Sequence, residues 1–426
     1  MRSRQRNEQN GTVAGLGDAK AFGLRLLELR RWRGLTLREA AGLAGLSFSF
    51  WGQVERGEKE VNSRKTLEAM AGALRVHPSE LTEHPWAPRD EAGTAANAGL
   101  RAMATALEDY ELGADPGLPG RPWPQLAEDV QRLITTMVWT GDYAGQCELA
   151  PVLIGELHGA YLHLPQQRSE VLVGLMNAYS SVVWTSVRLG ALGLPSLAAR
   201  AVQQCAEILD DPVWLGYATR VRGSATGQLN RVAHYPRSVA AAESLSSQLD
   251  NGEALLACGL LHLDAALAAG AQADRDTAAV HLQEASALAS RMDTEVGILA
   301  DLGFGLTTVA TCKTAIAMEL REPGQALDAA KTARPELHPS VSHQAWFWAN
   351  VGRALAAEKR TREKAVRVLV HAEQMAPQRI HNNLLVREVV ADLLRQALSQ
   401  AGRRELRALA WRMGLTPIRG TRPGAR

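Results

Sequence analysis

Residues 36–57, TLREAAGLAGLSFSFWGQVERG, admit few conformations besides two short helices meeting at a tight turn. Thr36 is a good helix N-cap, and Glu39 three residues later completes a capping box. Ala40, Ala41 and Ala44 are small, and Gly45 supplies a residue at ease in a left-handed backbone. Ser47 then caps a second helix. Trp51 and Val54 give that helix one apolar face and leave the other free. A small residue at Ala41 lets the two helices cross closely. These offsets suit a helix pair whose second member enters a DNA major groove. The plainer alternative is a helical hairpin with no such task.

More helices flank the pair. Phe22, Leu26 and Leu29 recur at helical spacing over residues 20–32, which end in the basic cluster Arg30, Arg31 and Arg33. Cations there complement the negative pole of a helix. Ser63 caps a fourth helix with Leu67, Met70, Ala71 and Leu74 on its apolar face. Pro78 starts a fifth that ends near Leu81.

Residues 20–84, with GLTLREAAGLAGLSFSFWGQVERG followed by SRKTLEAMAGALRVHPSEL, resemble the lambda-repressor-like, XRE-type DNA-binding domain. The rest of the chain resembles an actinobacterial group in which that domain precedes tetratricopeptide-like helices. Its carriers are LTEHPWAP (81–88), FGLTTVATCKTAIAMEL (304–320) and LLVREVVADLLR (384–395). The resemblance implies an all-α chain with a five-helix DNA-binding domain at 19–83 and a tetratricopeptide-like domain at 99–415. A polar arm (1–18) precedes them, a linker (84–98) joins them, and a basic tail (416–426) follows.

The resemblance also implies which residues meet DNA. Bases would be read by Phe48, Ser49, Gly52 and Gln53. Gln53 suits a bidentate contact to adenine, Ser49 is an adaptable donor and acceptor, and Phe48 suits a thymine methyl. Phosphates would be met by Arg38, Arg56, Lys59, Arg64 and Lys65, which position the domain without reading sequence. Glu55, in the family's Glu-Arg-Gly, is expected to hold structure rather than read bases. The chain departs from the family at Leu37, where Gln is usual, and at Phe48, where a polar or basic residue is usual. A single such domain makes few contacts, so a homodimer on a palindromic operator is expected, with half-sites about one helical turn apart.

Charge distribution agrees with that reading. The 426 residues carry a net charge of only +2, but residues 1–84 hold 14 Lys/Arg against 10 Asp/Glu. Residues 403–426 hold seven Arg and one Glu, which leaves the middle acidic. A basic head is the electrostatic footprint of a domain that meets nucleic acid.

Cys147, Cys205, Cys258 and Cys312 are widely spaced and form no CxxC pair, so neither a disulfide framework, a metal site nor a cofactor is expected. With no apolar signal core and no uncharged apolar run of about 18 residues, a cytoplasmic protein without membrane contact is expected.

From residue 125 to 415 the sequence reads as helix after helix, interrupted before it by the Pro- and Gly-rich 113–124. Small and apolar residues recur at offsets of four and seven: Ala278/Leu282/Ala285, Ala326/Ala330/Ala333, Ala365/Leu369/Ala372 and, more weakly, Ala198/Val202/Cys205. The sets at 278, 326 and 365 start 48 and 39 residues apart, not at the roughly 34-residue tetratricopeptide period. Degenerate repeats and an irregular bundle both remain open. Stacked pairs would offer a concave inner surface for a small-molecule or peptide effector.

Candidate pocket residues are polar or aromatic ones on otherwise apolar helices: Asn177, Tyr179, Trp184, Trp214, Arg220, Asn230, Trp346, Asn350 and Arg353. The cluster around Trp346, with Asn350 and Arg353 three apart, is the best of these. The expected function is therefore a DNA-binding transcription regulator controlled by an effector. The alternative is a protein–protein adaptor that its DNA-binding head merely localises. An enzyme is not expected: no phosphate loop, HExxH or Gly-x-Ser-x-Gly occurs, and His338 and His343, or His158 and His163, are five apart and so off a common helix face.

Overall fold

The computed structural model describes residues 18–59, 61, 64–76, 81, 91–225, 231–395 and 400–415. The chain divides into two compact units, residues 1–86 and 87–426. The arm as far as residue 17, the tail, Ser63, Pro78, Asn230 and the start of the expected linker lie outside the described residues.

The first unit contains α1 (Asp18–Trp32), α2 (Leu37–Leu43), α3 (Phe48–Glu55) and α4 (Arg64–Leu74). Leu26, Leu29, Ala41, Trp51, Val54, Leu67, Met70 and Leu74 form its core, with Trp51 wholly buried. A full aromatic side chain removed from water is the largest single apolar contribution in so small a core. α1 and α3 cross closely. A Cβ on Gly23 would strike the carbonyl oxygen of Val54, so only glycine lets the two backbones meet there.

The second unit begins with α5 (Glu91–Asp109), which starts inside the segment expected to be linker. Residues 113–122 are non-helical as their prolines and glycines require, and Pro124 opens α6 (Trp123–Arg132). A wide π-helical turn, Leu133–Val138, continues it. Then come α7 (Tyr143–His163), α8 (Arg168–Arg188), α9 (Leu194–Leu209), α10 (Pro212–Ala225), α11 (Arg231–Leu245), α12 (Gly252–Ala271) and α13 (Arg275–Ala289). After a hairpin follow α14 (Leu306–Glu319), α15 (Pro323–Ala330), α16 (Val341–Ala356), α17 (Arg362–Met375), α18 (Pro377–His381), α19 (Leu384–Arg395) and α20 (Gln400–Arg412).

Successive helices pack against each other along this series, most extensively α8 on α9, α11 on α12, α12 on α13 and α16 on α17. The small-residue sets lie on these seams. Ala198, Val202 and Cys205 are buried in α9, Ala278, Leu282 and Ala285 in α13, and Ala365, Leu369 and Ala372 in α17. The set at Ala326 is the exception: α15 ends at Ala330, and Ala333 lies beyond it. All four cysteines are free and buried, and burial pushes the Cys205 and Cys312 thiols up to about 12.

α12 is long and apolar enough to cross a membrane by length and composition, but 78% of its apolar window is buried inside the unit. It is the central helix, packed by α10, α11, α13 and α14. Its Asp264 pairs with Arg220.

The two-stranded hairpin is unlike the all-helical expectation for this stretch. β1 (Gly297–Leu299) pairs antiparallel with β2 (Leu302–Phe304), with Leu299 opposite Leu302. Ala300 turns the chain at φ 54°. Phe304 lies directly on Gly259 of α12, where any Cβ would collide with its ring.

Contacts in this unit are not confined to sequence neighbours. The Trp139 carbonyl accepts from the Ser342 amide (2.7 Å) and the Ser340 hydroxyl (3.2 Å). The Gln378 side chain caps α7 by accepting from the Tyr143 and Ala144 amides at 3.0 and 3.2 Å. Its amide nitrogen donates to Asp142 at 3.1 Å. The late helices α16 and α18 thus fasten onto the turn that precedes α7.

Candidate nucleic-acid interface

Local chemistry sets α2 and α3. The Thr36 backbone amide donates to the Glu39 carboxylate at 2.8 Å, and the Glu39 amide donates to the Thr36 hydroxyl at 3.2 Å. The two bonds close the expected capping box. Gly45 has φ +65°. The Leu46 amide reaches back to the Ala41 carbonyl (2.9 Å) and the Gly45 amide to that of Gly42 (3.1 Å), which is a Schellman ending. The Ser47 hydroxyl then accepts from the Phe50 amide at 3.1 Å and starts α3.

A buried ion pair locks α3 against α1. Glu55 accepts from Arg30 Nε at 2.5 Å and Nη2 at 2.9 Å, and from the Trp51 indole at 2.6 Å. The hydrogen bond to Glu55 raises the pKa of Arg30 against the opposing effect of burial. Arg30 also donates to the Leu35 carbonyl at 2.9 Å, so it ties the loop before α2 to the same point. Glu55 therefore holds structure, as its position in Glu-Arg-Gly implied.

The outer face of α3 is open. Phe48 is 55% exposed, Ser49 is exposed and Gln53 is half-buried. Around them stand exposed Arg38, Arg56 and Lys59. The Arg38 guanidinium lies 5.9 Å from the centre of the Phe48 ring, and Lys59 Nζ 4.9 Å from that of Phe50. Arg56 donates to Glu58 at 2.6 and 2.8 Å across the surface. An exposed, solvent-screened pair of this kind is weak, so a phosphate can displace it.

Gly52 does not belong to this open face and corrects the sequence reading. It is buried, and a Cβ there would meet Arg56 Nη1 at 3.2 Å and Leu37 Cδ1 at 3.5 Å. The missing side chain seats the guanidinium of Arg56. Arg64 and Lys65 begin α4; their side chains lie outside the description.

Against known families, residues 21–84 match the helix-turn-helix domain. The chain carries a helix-turn-helix DNA-binding domain. Neither a curated protein nor a solved structure matches the chain.

Apart from the helix-turn-helix domain, the residues named for an effector pocket fall into separate groups. Tyr179 is buried, with its hydroxyl 2.6 Å from His158 Nε2. Asn177 donates to the Val173 carbonyl, and its buried Oδ1 has no partner. Arg220 is engaged by Asp264. Arg353 donates to Asn350 at 2.7 Å, and Asn350 to the Trp346 carbonyl at 3.1 Å. That cluster is real: its members bond to one another.

Trp184 and Trp214 lead to a centre that sequence did not indicate. The Asp301 carboxylate, in the hairpin turn, accepts from the Trp184 indole at 2.6 Å and the Tyr217 hydroxyl at 2.7 Å. Its carbonyl accepts from the Trp139 indole at 3.0 Å. Trp214 meets Tyr217 edge-on. Burial raises the pKa of Asp301, and hydrogen bonds from Tyr217 and Trp184 oppose that effect.

His338 and His343 also correct the sequence reading. Their rings stack at 4.1 Å and 9°. Five-residue spacing separates two rings only where both are helical; His338 lies before α16, so the turn at Ser340 folds it over His343.

Proposed function

We propose that the protein is an XRE-type transcription regulator that reads a palindromic operator as a homodimer. Ser49 and Gln53 read base edges and Phe48 packs on a thymine methyl. Arg38, Arg56, Lys59, Arg64 and Lys65 hold phosphates. The observation that carries this reading is the face of α3, where Phe48, Ser49 and Gln53 stand outward among exposed Arg38, Arg56 and Lys59 while Trp51, Val54 and Glu55 anchor the opposite face. The helical unit, read as degenerate tetratricopeptide-like pairs, joins two copies and senses a small molecule or peptide. The protein is not an enzyme and works in the cytoplasm on double-stranded DNA.

The test is selection of binding sequences from random duplexes by the full chain at low salt, followed by titration. A two-fold symmetric consensus is expected. Gln53→Ala should relax one position of each half-site, at a cost of about 1–3 kcal/mol of discrimination. Arg38→Ala should weaken all duplexes alike and lower the salt slope by about one. Recovery of no consensus at all would refute the reading.

One feature favours the adaptor alternative. A groove of roughly 740 Å³ runs between α13, α14 and α15, floored by Ala278, Leu282 and Ile316 and edged by Arg275, Lys313 and Asp328. An open apolar floor with a charged rim is the form of a peptide-docking surface.

A further inference from the structure

Among the described residues of the helical unit, Arg188 and Arg379 approach each other with no carboxylate in ion-pair reach of either. Arg379 in α18 has a buried Nε with no hydrogen-bond acceptor. The charges and dipoles acting on it are Arg188, at the end of α8, and the Tyr143 phenol. Burial first, and then Arg188, pull its pKa down to about 9. Among the described residues neither arginine forms an ion pair, whereas Arg220 nearby is matched by Asp264.

The stacked histidines lie near the same two arginines. His343 Nε2 is buried and unpartnered. Burial, then the charges of His338, Arg379, Arg220 and Arg188, hold His343 well below its usual pKa. The pair is therefore neutral and keeps N–H groups to donate. Trp346 meets His343 edge-on at 5.4 Å and supplies an apolar flank.

The seam between early and late helices assembles these groups. A Cβ on Gly141 would sit 3.3 Å from Ser342 Oγ and 3.6 Å from Arg379 Cβ. Next to Arg379, Gln378 caps α7. Buried charge is tolerated in proteins when it is paired. A guanidinium fork matches a carboxylate or phosphate with two parallel hydrogen bonds.

We propose that the helical unit binds an oxyanion-bearing small molecule between Arg188 and Arg379, against His343, with the rest of the molecule along Trp346. This deepens, and rests on, the reading of the unit as an effector sensor. It also narrows the effector to an acid or phosphate ester.

The test is thermal unfolding of the full chain in chloride-free buffer, with inorganic phosphate in one arm and succinate in the other. A saturable rise of several degrees in one arm is expected, and the responding arm tells phosphate from carboxylate. Arg379→Met and Arg188→Met should each abolish the rise. Arg379→Met should also unfold at a higher temperature than the parent when no anion is present, because an unbalanced buried charge is gone. If Arg379→Met does not fold, Arg188→Met alone decides. No rise in either arm, or a rise that survives substitution, overturns the proposal. An anion that binds and leaves DNA affinity unchanged upholds the site and refutes the sensor.

Discussion

Glu55 is the residue on which the DNA-binding face depends although it need not touch DNA. Three donors converge on its carboxylate from α1 and α3. Removing one partner of a buried pair leaves the other charge uncompensated, at a cost of about 3–5 kcal/mol. Glu55→Ala should therefore lower the denaturant midpoint of the first unit sharply. The joint change Arg30→Met with Glu55→Leu should recover most of the loss. If Glu55→Ala left the midpoint unmoved, the lock would be ornamental.

His338 yields a second residue-scale expectation. Burial lowers its pKa to about 4, against an ordinary value of 6.5. The unfolded chain binds the proton more readily between those values, so stability is full above about 6.5 and falls as pH drops toward 4. Urea midpoints at pH 7 and 4.5 should show this fall, and His338→Gln should lessen it. At this scale the sequence was legible where chemistry is local. Thr36, Glu39, Gly45 and Ser47 announce their own roles. Gly52 did not, because its burial depends on where the Arg56 guanidinium comes to rest.

At the scale of elements, α1 and α3 meet at a contact that tolerates no side chain. Gly23→Ala would push a methyl against the Val54 carbonyl. Overpacking of this kind costs roughly 1–3 kcal/mol. We expect Gly23→Ala to lower the thermal midpoint and to weaken DNA binding beyond that loss, since α3 must tilt to yield. Normal affinity in the folded variant would show that α3 does not move. The α2–α3 pair was readable because caps, turn and apolar face agree over some twenty residues. The hairpin β1–β2 was not. Its strands are three residues each, too short for alternation to register. Its anchor, Phe304 on Gly259, joins positions far apart in sequence. Gly297, Gly303 and Gly305 were the only local hint.

At the scale of the molecule, the two compact units have separate cores. Calorimetry of the full chain should resolve two transitions, with duplex DNA raising the one that Glu55→Ala lowers. A single transition that every ligand shifts together would contradict this. The helical class of the second unit was legible in its Ala- and Leu-rich periodicity. Its interior was not, because Arg188, His343 and Arg379 come together only when helices up to some two hundred residues apart meet.

The fastening of α16 and α18 onto the turn at 139–144 has a kinetic consequence. A few hydrogen bonds, to the Trp139 carbonyl and from the Tyr143 and Ala144 amides, act as a clasp between early and late helices. An effector seated at that seam would leave by parting it, so dwell time would follow the clasp's opening rate rather than the strength of each contact. A memory lasting longer than the signal that set it is what such a latch would give the cell.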